Sequence, residues 1–326
     1  MTLSELRYLV AVDDLRHFGH AAERCHITQS TLSTQLRKLE DFLGITLFER
    51  TSRPVTVTPI GQSIVIRARR IIEEADQICD LARQDKGLLS NTLKLGIIPT
   101  LSPYLLPLFL EDLHRDHPQL RLVLREDLTA NLIDALAAYE VDVLLLALPD
   151  ELHGLHALPL FNEPFWFAFP ASDPLRDRTV IAESDLAGRR LLLLAEGHCL
   201  RGQALAVCGQ QVRKSDVGAD VLRANSLETI CAMVAAGLGC TLLPALAVPR
   251  LTAGGSGVEA RAFKAVGATR RIGLLWRVAF PRSDDLVALG KFIQDRLPSD
   301  LQPPGERGMV PIGELLPDSR SWSVDA

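Results

Sequence analysis

Cys199 and Cys208 lie nine residues apart in the run Gly197-His198-Cys199-Leu200-Arg201-Gly202-Gln203-Ala204-Leu205-Ala206-Val207-Cys208. The run follows an apolar stretch, Arg190 to Leu194, that reads as a strand, and Leu200 to Cys208 has a helical composition. Cys199 is therefore expected at a helix N-terminus, where the free amides and a neighbouring imidazole both favour thiolate, the nucleophilic form of cysteine. A free cysteine is ordinarily a small buried hydrophobe. That is the reading for Cys25, Cys79, Cys231 and Cys240, each in an apolar helix or strand context. Cys199 differs because His198, Arg201 and a second cysteine share its locality. Thr100 and Thr129 each fall just past the carboxyl end of an expected strand, where α/β sheets bind small ligands, although threonine there is more often a plain helix cap. Arg270 and Arg271 precede the strand Ile272 to Leu275 and serve either the cleft or the surface.

The elements that must position these residues begin at Thr92. Leu93 to Ile98, Leu120 to Glu126 and Val141 to Leu146 are apolar runs separated by helical patterns near Leu105 to Arg115 and Asn131 to Ala138, which predicts β-α-β-α-β and a parallel sheet. A second set of strands follows at Phe165 to Phe169, Arg190 to Leu194, Val221 to Ala224, Cys240 to Leu243 and Val258 to Ala262. The chain then returns to the first set at Ile272 to Leu275, with a last helix near Asp284 to Leu297. Two α/β lobes that exchange chain twice leave a cleft between them. The class is α/β throughout this body.

The first 58 residues are different. Leu6, Leu9 and Val10 stripe a first helix, Ala21 and Ala22 sit in a short second one, and Thr28 caps a third that begins at Gln29. Leu32, Leu36, Leu39 and Leu43 bury one face of that third helix and leave Gln29, Ser30, Ser33, Thr34 and Arg37 on the other. Leu47 to Arg50 and Val55 to Thr58 read as a hairpin with Arg50 and Arg53 at its tip. This is a winged helix-turn-helix, with the polar face expected in a major groove and the two arginines on phosphate or the adjacent minor groove. Thr58-Pro59 opens a long helix carrying Ile60, Ile64, Ala68, Ile71, Ala75, Ile78 and Ala82 at coiled-coil spacing, which predicts pairing with a second copy. The expected divisions are a DNA-binding head over 1–58, a linker and dimerisation helix over 59–91, a two-lobed body over 92–300 and a tail over 301–326.

Composition bounds the function. With 326 residues and 47% hydrophobic side chains the chain builds more than one core, which excludes a disordered or fibrous protein. Residues 1–70 hold ten Lys/Arg against seven Asp/Glu, and the remainder 25 against 33, so a mildly basic head precedes an acidic body. The start of the chain has no charged and apolar leader pattern, and six cysteines without a CxxC pair fit neither a disulfide scaffold nor a zinc ribbon; a cytoplasmic protein with reduced thiols and no metal or other cofactor is expected. Thr229 to Pro249 runs without a charge, but Gly237, Gly239 and Pro244 divide it into a helix and a strand, so it reads as buried core rather than a membrane span.

Head, linker and body together resemble the LysR-type transcriptional regulators over about residues 1–300, and the run Gly197 to Cys208 is similar to the signature of their hydrogen-peroxide-sensing members. Ile98-Pro99-Thr100, Pro103 to Pro107, Ser226 to Thr229 and Leu243 to Pro249 agree. The resemblance implies a body like the periplasmic binding proteins, Cys199 as the peroxidatic cysteine and Cys208 as its disulfide partner. It further implies Thr100, Thr129, His198, Gln203 and Arg270 as the peroxide pocket. Promoter DNA, a second copy or a tetramer, RNA polymerase and glutaredoxin- or thioredoxin-type reductants are the implied partners, with a regulatory and not an enzymatic role. Two rivals remain at this level: a regulator whose cleft takes a carboxylate metabolite while its cysteines stay inert, and a thiol peroxidase. If Leu200 to Val207 is helical, about 13 Å of rise separates the cysteines, beyond the roughly 7 Å between Cα atoms that a disulfide spans, so the segment must unwind to close the bond.

Overall fold

The computed structural model describes residues 1–49, 54–81, 88–149, 154–208, 224–264, 268–299 and 301. They form two compact units, Met1–Gly87 with Ala137–Glu140, and Leu88–Leu136 with Val141 onward.

In the first unit, α1 (Leu3–Leu15) opens on a capping box in which Thr2 Oγ1 accepts the Glu5 amide and the Glu5 carboxylate accepts the Thr2 amide, an arrangement that contributes about 1 kcal/mol. Leu6, Leu9 and Val12 turn inward to meet Ala21 and Ala22 of α2 (Phe18–Arg24) and Leu32, Leu36 and Leu39 of α3 (Gln29–Leu43). Thr28 Oγ1 accepts the Thr31 amide at 3.2 Å and so fixes the start of α3; Gly44 ends it in the left-handed region, φ +68°, which glycine adopts without strain. The hairpin is shorter than its sequence promises, with β1 (Phe48–Glu49) paired antiparallel to β2 (Thr56–Val57). Its flanks are occupied elsewhere. The Glu40 carboxylate accepts the amides of Leu47 and Phe48, while Thr58 donates to the Thr46 carbonyl and accepts the Gly61 amide to start the next helix. Arg50 and Arg53 lie outside the described residues.

That helix, α4 (Pro59–Leu81), packs on α1 through Val65 and Ala68, and buried Arg69 reaches the carboxylates of Asp13 and Asp14. Removing one member of such a buried pair costs about 3–5 kcal/mol. The seam is consequently divided: Ala68 turns into the head core, whereas Ile60, Ile71 and Ile78 are 51%, 42% and 70% exposed. Ala82 and the Cys79 side chain lie outside the description.

The second unit is one eight-stranded sheet ordered β4-β3-β5-β10-β6-β9-β7, with β8 also paired to β6. Its strands are β3 (Thr92–Ile97), β4 (Arg121–Glu126), β5 (Val143–Ala147), β6 (Leu155–Pro170), β7 (Val180–Ala182), β8 (Thr241–Pro244), β9 (Val258–Lys264) and β10 (Thr269–Arg277). The expected parallel set is present, β3 lying parallel to both β4 and β5, with α5 (Ser102–Asp116) and α6 (Thr129–Ala137) as its crossovers. β10 runs antiparallel to β5 and β6. β6, sixteen residues long, is shared: Leu155 to Pro164 pair with β10, and the stretch from Phe165 pairs with β8 and β9. Leu158, Leu160 and Phe161 therefore enter the first lobe's core, and Phe165, Phe167 and Phe169 the second's.

Two expected strands are not ladders. Arg190 to Leu194 makes only the isolated bridges Leu191 to Cys240 and Leu194 to Ala224, because its neighbour β8 starts at Thr241; 221–223 lie outside the description. The uncharged run divides as read, into α8 (Leu227–Ala235) and β8, both buried. Among the described residues no helix is long and apolar enough to cross a membrane. α9 (Val248–Leu251) and α10 (Ser283–Gln294) complete the unit, α10 ending three residues before the expected Leu297.

Candidate functional site

α7 (Cys199–Cys208) begins at the first cysteine and ends at the second. It is reached through Gly197, φ +94°, where a Cβ would fall 2.9 Å from Leu128 Cδ1. Only glycine fits both that dihedral and that approach, so the turn before Cys199 is brought against the loop before Thr129. Leu200, Ala204 and Cys208 anchor α7 in the second lobe's core, while half-buried Cys199 packs against the first lobe's. The thiol thus sits at the seam of the lobes. Arg201 is spent on structure, donating to the Leu194 carbonyl at 3.0 Å. Burial pushes half-buried His198 below its ordinary value, so at neutral pH it is an uncharged ring able to donate and accept, not a cation.

The first lobe supplies the opposite wall. Neither threonine is a helix cap. Leu101 occupies the cap position of α5 without a side-chain bond, and buried Thr100 instead accepts from Arg270 Nη1 at 3.0 Å through its hydroxyl and from Nη2 at 3.1 Å through its carbonyl. Before α6, Asp127 accepts the Leu128 amide at 2.8 Å and the Asn131 side-chain amide at 2.7 Å; the Asn131 bond, first among several, holds its carboxyl below the usual range. Thr129 Oγ1 is buried with no hydrogen-bond partner among the described residues, and so is Gln203 Oε1, one helical turn after Cys199 on the same face of α7. A buried acceptor left unpaired costs about 1–3 kcal/mol, so each of these two has capacity for a hydrogen-bond donor.

Arg270 is buried and Arg271 exposed, as strand alternation requires. What the sequence reading missed is Glu163. It stands directly opposite Arg270 in the β6–β10 register, and its Oε2 accepts from Arg270 Nε at 2.8 Å with both side chains fully buried. Oε1 accepts the Leu246 amide at 2.9 Å. The one signal in the sequence is a lone acid amid a long apolar strand.

At the far end of α7, burial foremost and Glu183 second push the Cys208 thiol up to about 12. Cys231 and Cys240 are likewise buried and raised, to about 11 and about 12, as inert core thiols are. In the first unit Gln29, Ser30, Thr34 and Arg37 are exposed on α3 and Ser33 half-buried, so the five share one polar face; Thr34 Oγ1 donates to the Ser30 carbonyl, leaving its lone pairs outward.

Two family models match the chain. The model of the bacterial regulatory helix-turn-helix protein, lysR family, matches residues 3–62, and that of the LysR substrate binding domain matches residues 86–298. A hydrogen peroxide-inducible genes activator of Pectobacterium carotovorum is 45% identical over 77% of this chain and 82% of its own. Full-length OxyR from Pseudomonas aeruginosa, solved with a cysteine-to-aspartate substitution, is 39% identical with a TM-score of 0.77, covering 90% of this chain and 95% of that one. A Corynebacterium glutamicum OxyR cysteine mutant, described as H2O2-bound, is 34% identical with a TM-score of 0.63 over 90% and 92%.

Proposed function

The chain belongs to the LysR family of bacterial helix-turn-helix regulators, and we propose that it is a hydrogen-peroxide-sensing activator whose switch is the pair Cys199 and Cys208. The observation that carries this reading is a set of polar groups on the two lobes that meet at Cys199: the Arg270–Thr100 pair, and two buried acceptors, Thr129 Oγ1 and Gln203 Oε1, that lack partners among the described residues. Hydrogen peroxide carries two donor protons and no charge, and it is recognised by orientation alone. The unpaired acceptors take its protons, Arg270 and His198 face the oxygen that leaves, and the Cys199 thiolate attacks the other. The O–O bond breaks, hydroxide departs to take up a proton, and Cys199 is left as a sulfenic acid. Cys208 then attacks that sulfur, hydroxide leaves as water, and one peroxide has oxidised two thiols to a disulfide and given two waters.

Because α7 separates the cysteines by about 13 Å of rise, the second step requires that Leu200 to Val207 leave the helical form. That rearrangement alters the second lobe and is the signal. The heads bind promoter DNA in pairs, with Gln29, Ser30, Ser33, Thr34 and Arg37 at base edges and Arg50 and Arg53 on the backbone. The exposed isoleucines of α4 are the surface on which two copies join. A cytoplasmic glutaredoxin- or thioredoxin-type protein resets the disulfide, and RNA polymerase reads the outcome; one oxidation per cycle makes this a signal rather than an enzymatic turnover. The divisions at 58, 91 and 300 follow these roles.

One equivalent of hydrogen peroxide, followed by thiol trapping and mass spectrometry, is expected to remove two free thiols, at Cys199 and Cys208, and to change the DNA footprint. Cys199→Ser should lose both effects. A footprint that still changes in Cys199→Ser overturns the assignment.

A further inference from the structure

Glu163 has no part in the reaction described above and is the most deeply placed carboxylate near it. Its two oxygens are divided between the lobes. Oε2 receives Arg270 Nε at 2.8 Å, and that guanidinium, so oriented, spends its remaining nitrogens on the hydroxyl and the carbonyl of Thr100 at 3.0 and 3.1 Å. Oε1 receives the amide of Leu246, in the 3₁₀ turn (Ala245–Ala247) that follows β8 of the second lobe. Leu246 packs against both cores. Taking a carboxylate out of water is costly, and a buried ion pair adds little net stability over apolar residues of the same volume. A glutamate and an arginine both at 0% side-chain exposure are therefore better explained by what they orient than by what they stabilise.

We propose that Glu163 is a positioning residue for the peroxide reaction: it aims Arg270 at Thr100 and ties that arrangement to the second-lobe turn, so that one carboxylate holds pocket geometry and lobe closure together. An aliphatic partner opposite Arg270 would leave the guanidinium free to swing about its long stem, and a neutral amide would leave a buried cation without a counter-charge. Either change moves the donor that faces the departing oxygen, and misplacement of a reacting group by about 1 Å costs on the order of 100-fold in rate. The inference rests on Arg270 belonging to the peroxide pocket, and its test separates the two.

The full-length reduced protein is treated with hydrogen peroxide and, in parallel at the same pH, with iodoacetamide, and the ratio of the two second-order rates at Cys199 is taken. Thiolate fraction and access affect both reagents, so the ratio reports orientation of peroxide. Glu163→Gln should lower the ratio at least about tenfold, and Glu163→Asp, which keeps the charge and retracts the carboxylate by one methylene, should lower it too and serves where the glutamine variant does not fold. Arg270→Met should lower it as far, and adding Glu163→Gln to Arg270→Met should lower it no further. If Arg270→Met leaves the ratio unchanged, the pocket reading of Arg270 fails. If Arg270→Met lowers it while Glu163→Gln and Glu163→Asp match the parent chain, or if the two changes multiply, Glu163 does not act through Arg270 and the proposal is overturned.

Discussion

At its first residue α7 presents a half-buried thiol to the seam of two lobes, and one turn on it carries Gln203, whose Oε1 is buried without a partner among the described residues; at its last it drives a thiol into an apolar core, where burial raises its pKa to about 12. One helix of ten residues thus holds two cysteines in different surroundings. The first end has unspent polar capacity and only partial cover. The second is buried within the apolar core of the second lobe and has nothing to exchange with solvent. On the proposed reading the contrast separates sensing from switching: the half-buried thiol meets peroxide first, and the buried one joins it only once the helix is given up.

The sharpest way to break that contrast is to remove the second sulfur and keep the first. Cys208→Ser should still form sulfenic acid at Cys199 with one equivalent of peroxide, since the pocket is at the other end of α7, yet it should lose the footprint change entirely. Dimedone trapping reports the first event and DNase footprinting the second. Full switching by this variant would mean that oxidation of Cys199 alone moves the second lobe, and the division of roles would collapse.

A smaller effect distinguishes the two threonines at the sensing end. Thr100 and Thr129 each contribute a hydroxyl, so valine at either should slow Cys199 oxidation by about 5- to 150-fold, corresponding to about 1–3 kcal/mol for one lost hydrogen bond to the reacting oxygens. Their effects on stability should differ. Thr100→Val strands Arg270 Nη1 and should cost about 1–3 kcal/mol, whereas Thr129→Val removes a buried oxygen without a partner among the described residues and should leave stability unchanged or higher. Urea denaturation of the reduced chains checks the split. Equal stability changes would show that Thr129 is satisfied in solution and not held open for a ligand.

How much of this was legible in the sequence follows from how local each feature is. The start of α3 at Gln29 was readable because Thr28 and the leucine stripe both specify it within a few residues. The hairpin was overread because Glu40 and Thr58 compete for its ends, and neither competition shows as a pattern. α4 was read as one uninterrupted seam because spacing alone does not reveal that Ala68 is claimed by the head core. The helix N-terminus at Cys199 was readable from composition, but the threonines were ambiguous because a cap and a ligand use the same hydroxyl, and only the placement of Asp127 and Arg270 decides between them. Glu163 shows in the sequence only as a lone acid in an apolar strand, because its partner lies 107 residues away and is set by strand register, which no single stretch of sequence encodes.

The smallest and most general effect concerns the withheld end. The Cys208 thiol, ordinarily near 9, is raised to about 12 by burial, with Glu183 adding to it, so the folded chain holds this proton more tightly than the unfolded one does. The sign follows: the stability linked to that proton is fully present below pH 9 and is lost progressively as pH rises from about 9 towards 12. Reduced protein should therefore unfold more readily in that window, and Cys240, raised in the same way and for the same first cause, adds to the slope. Below the window Cys208 reacts only from transiently opened α7, as an ordinary thiol, so its labelling by iodoacetamide should increase about tenfold per pH unit between pH 7 and 8 while remaining far slower than that of Cys199. Replacing Leu205 by glycine, which weakens α7 by about 1 kcal/mol through helix propensity and lost packing, should raise Cys208 labelling several-fold at constant pH. It should equally speed disulfide closure once Cys199 is oxidised, because both events draw on the same opening. Labelling that rises in this variant without faster closure would show that the helix is not the barrier between the two sulfurs, and that the contrast between the ends of α7 lies in their surroundings alone.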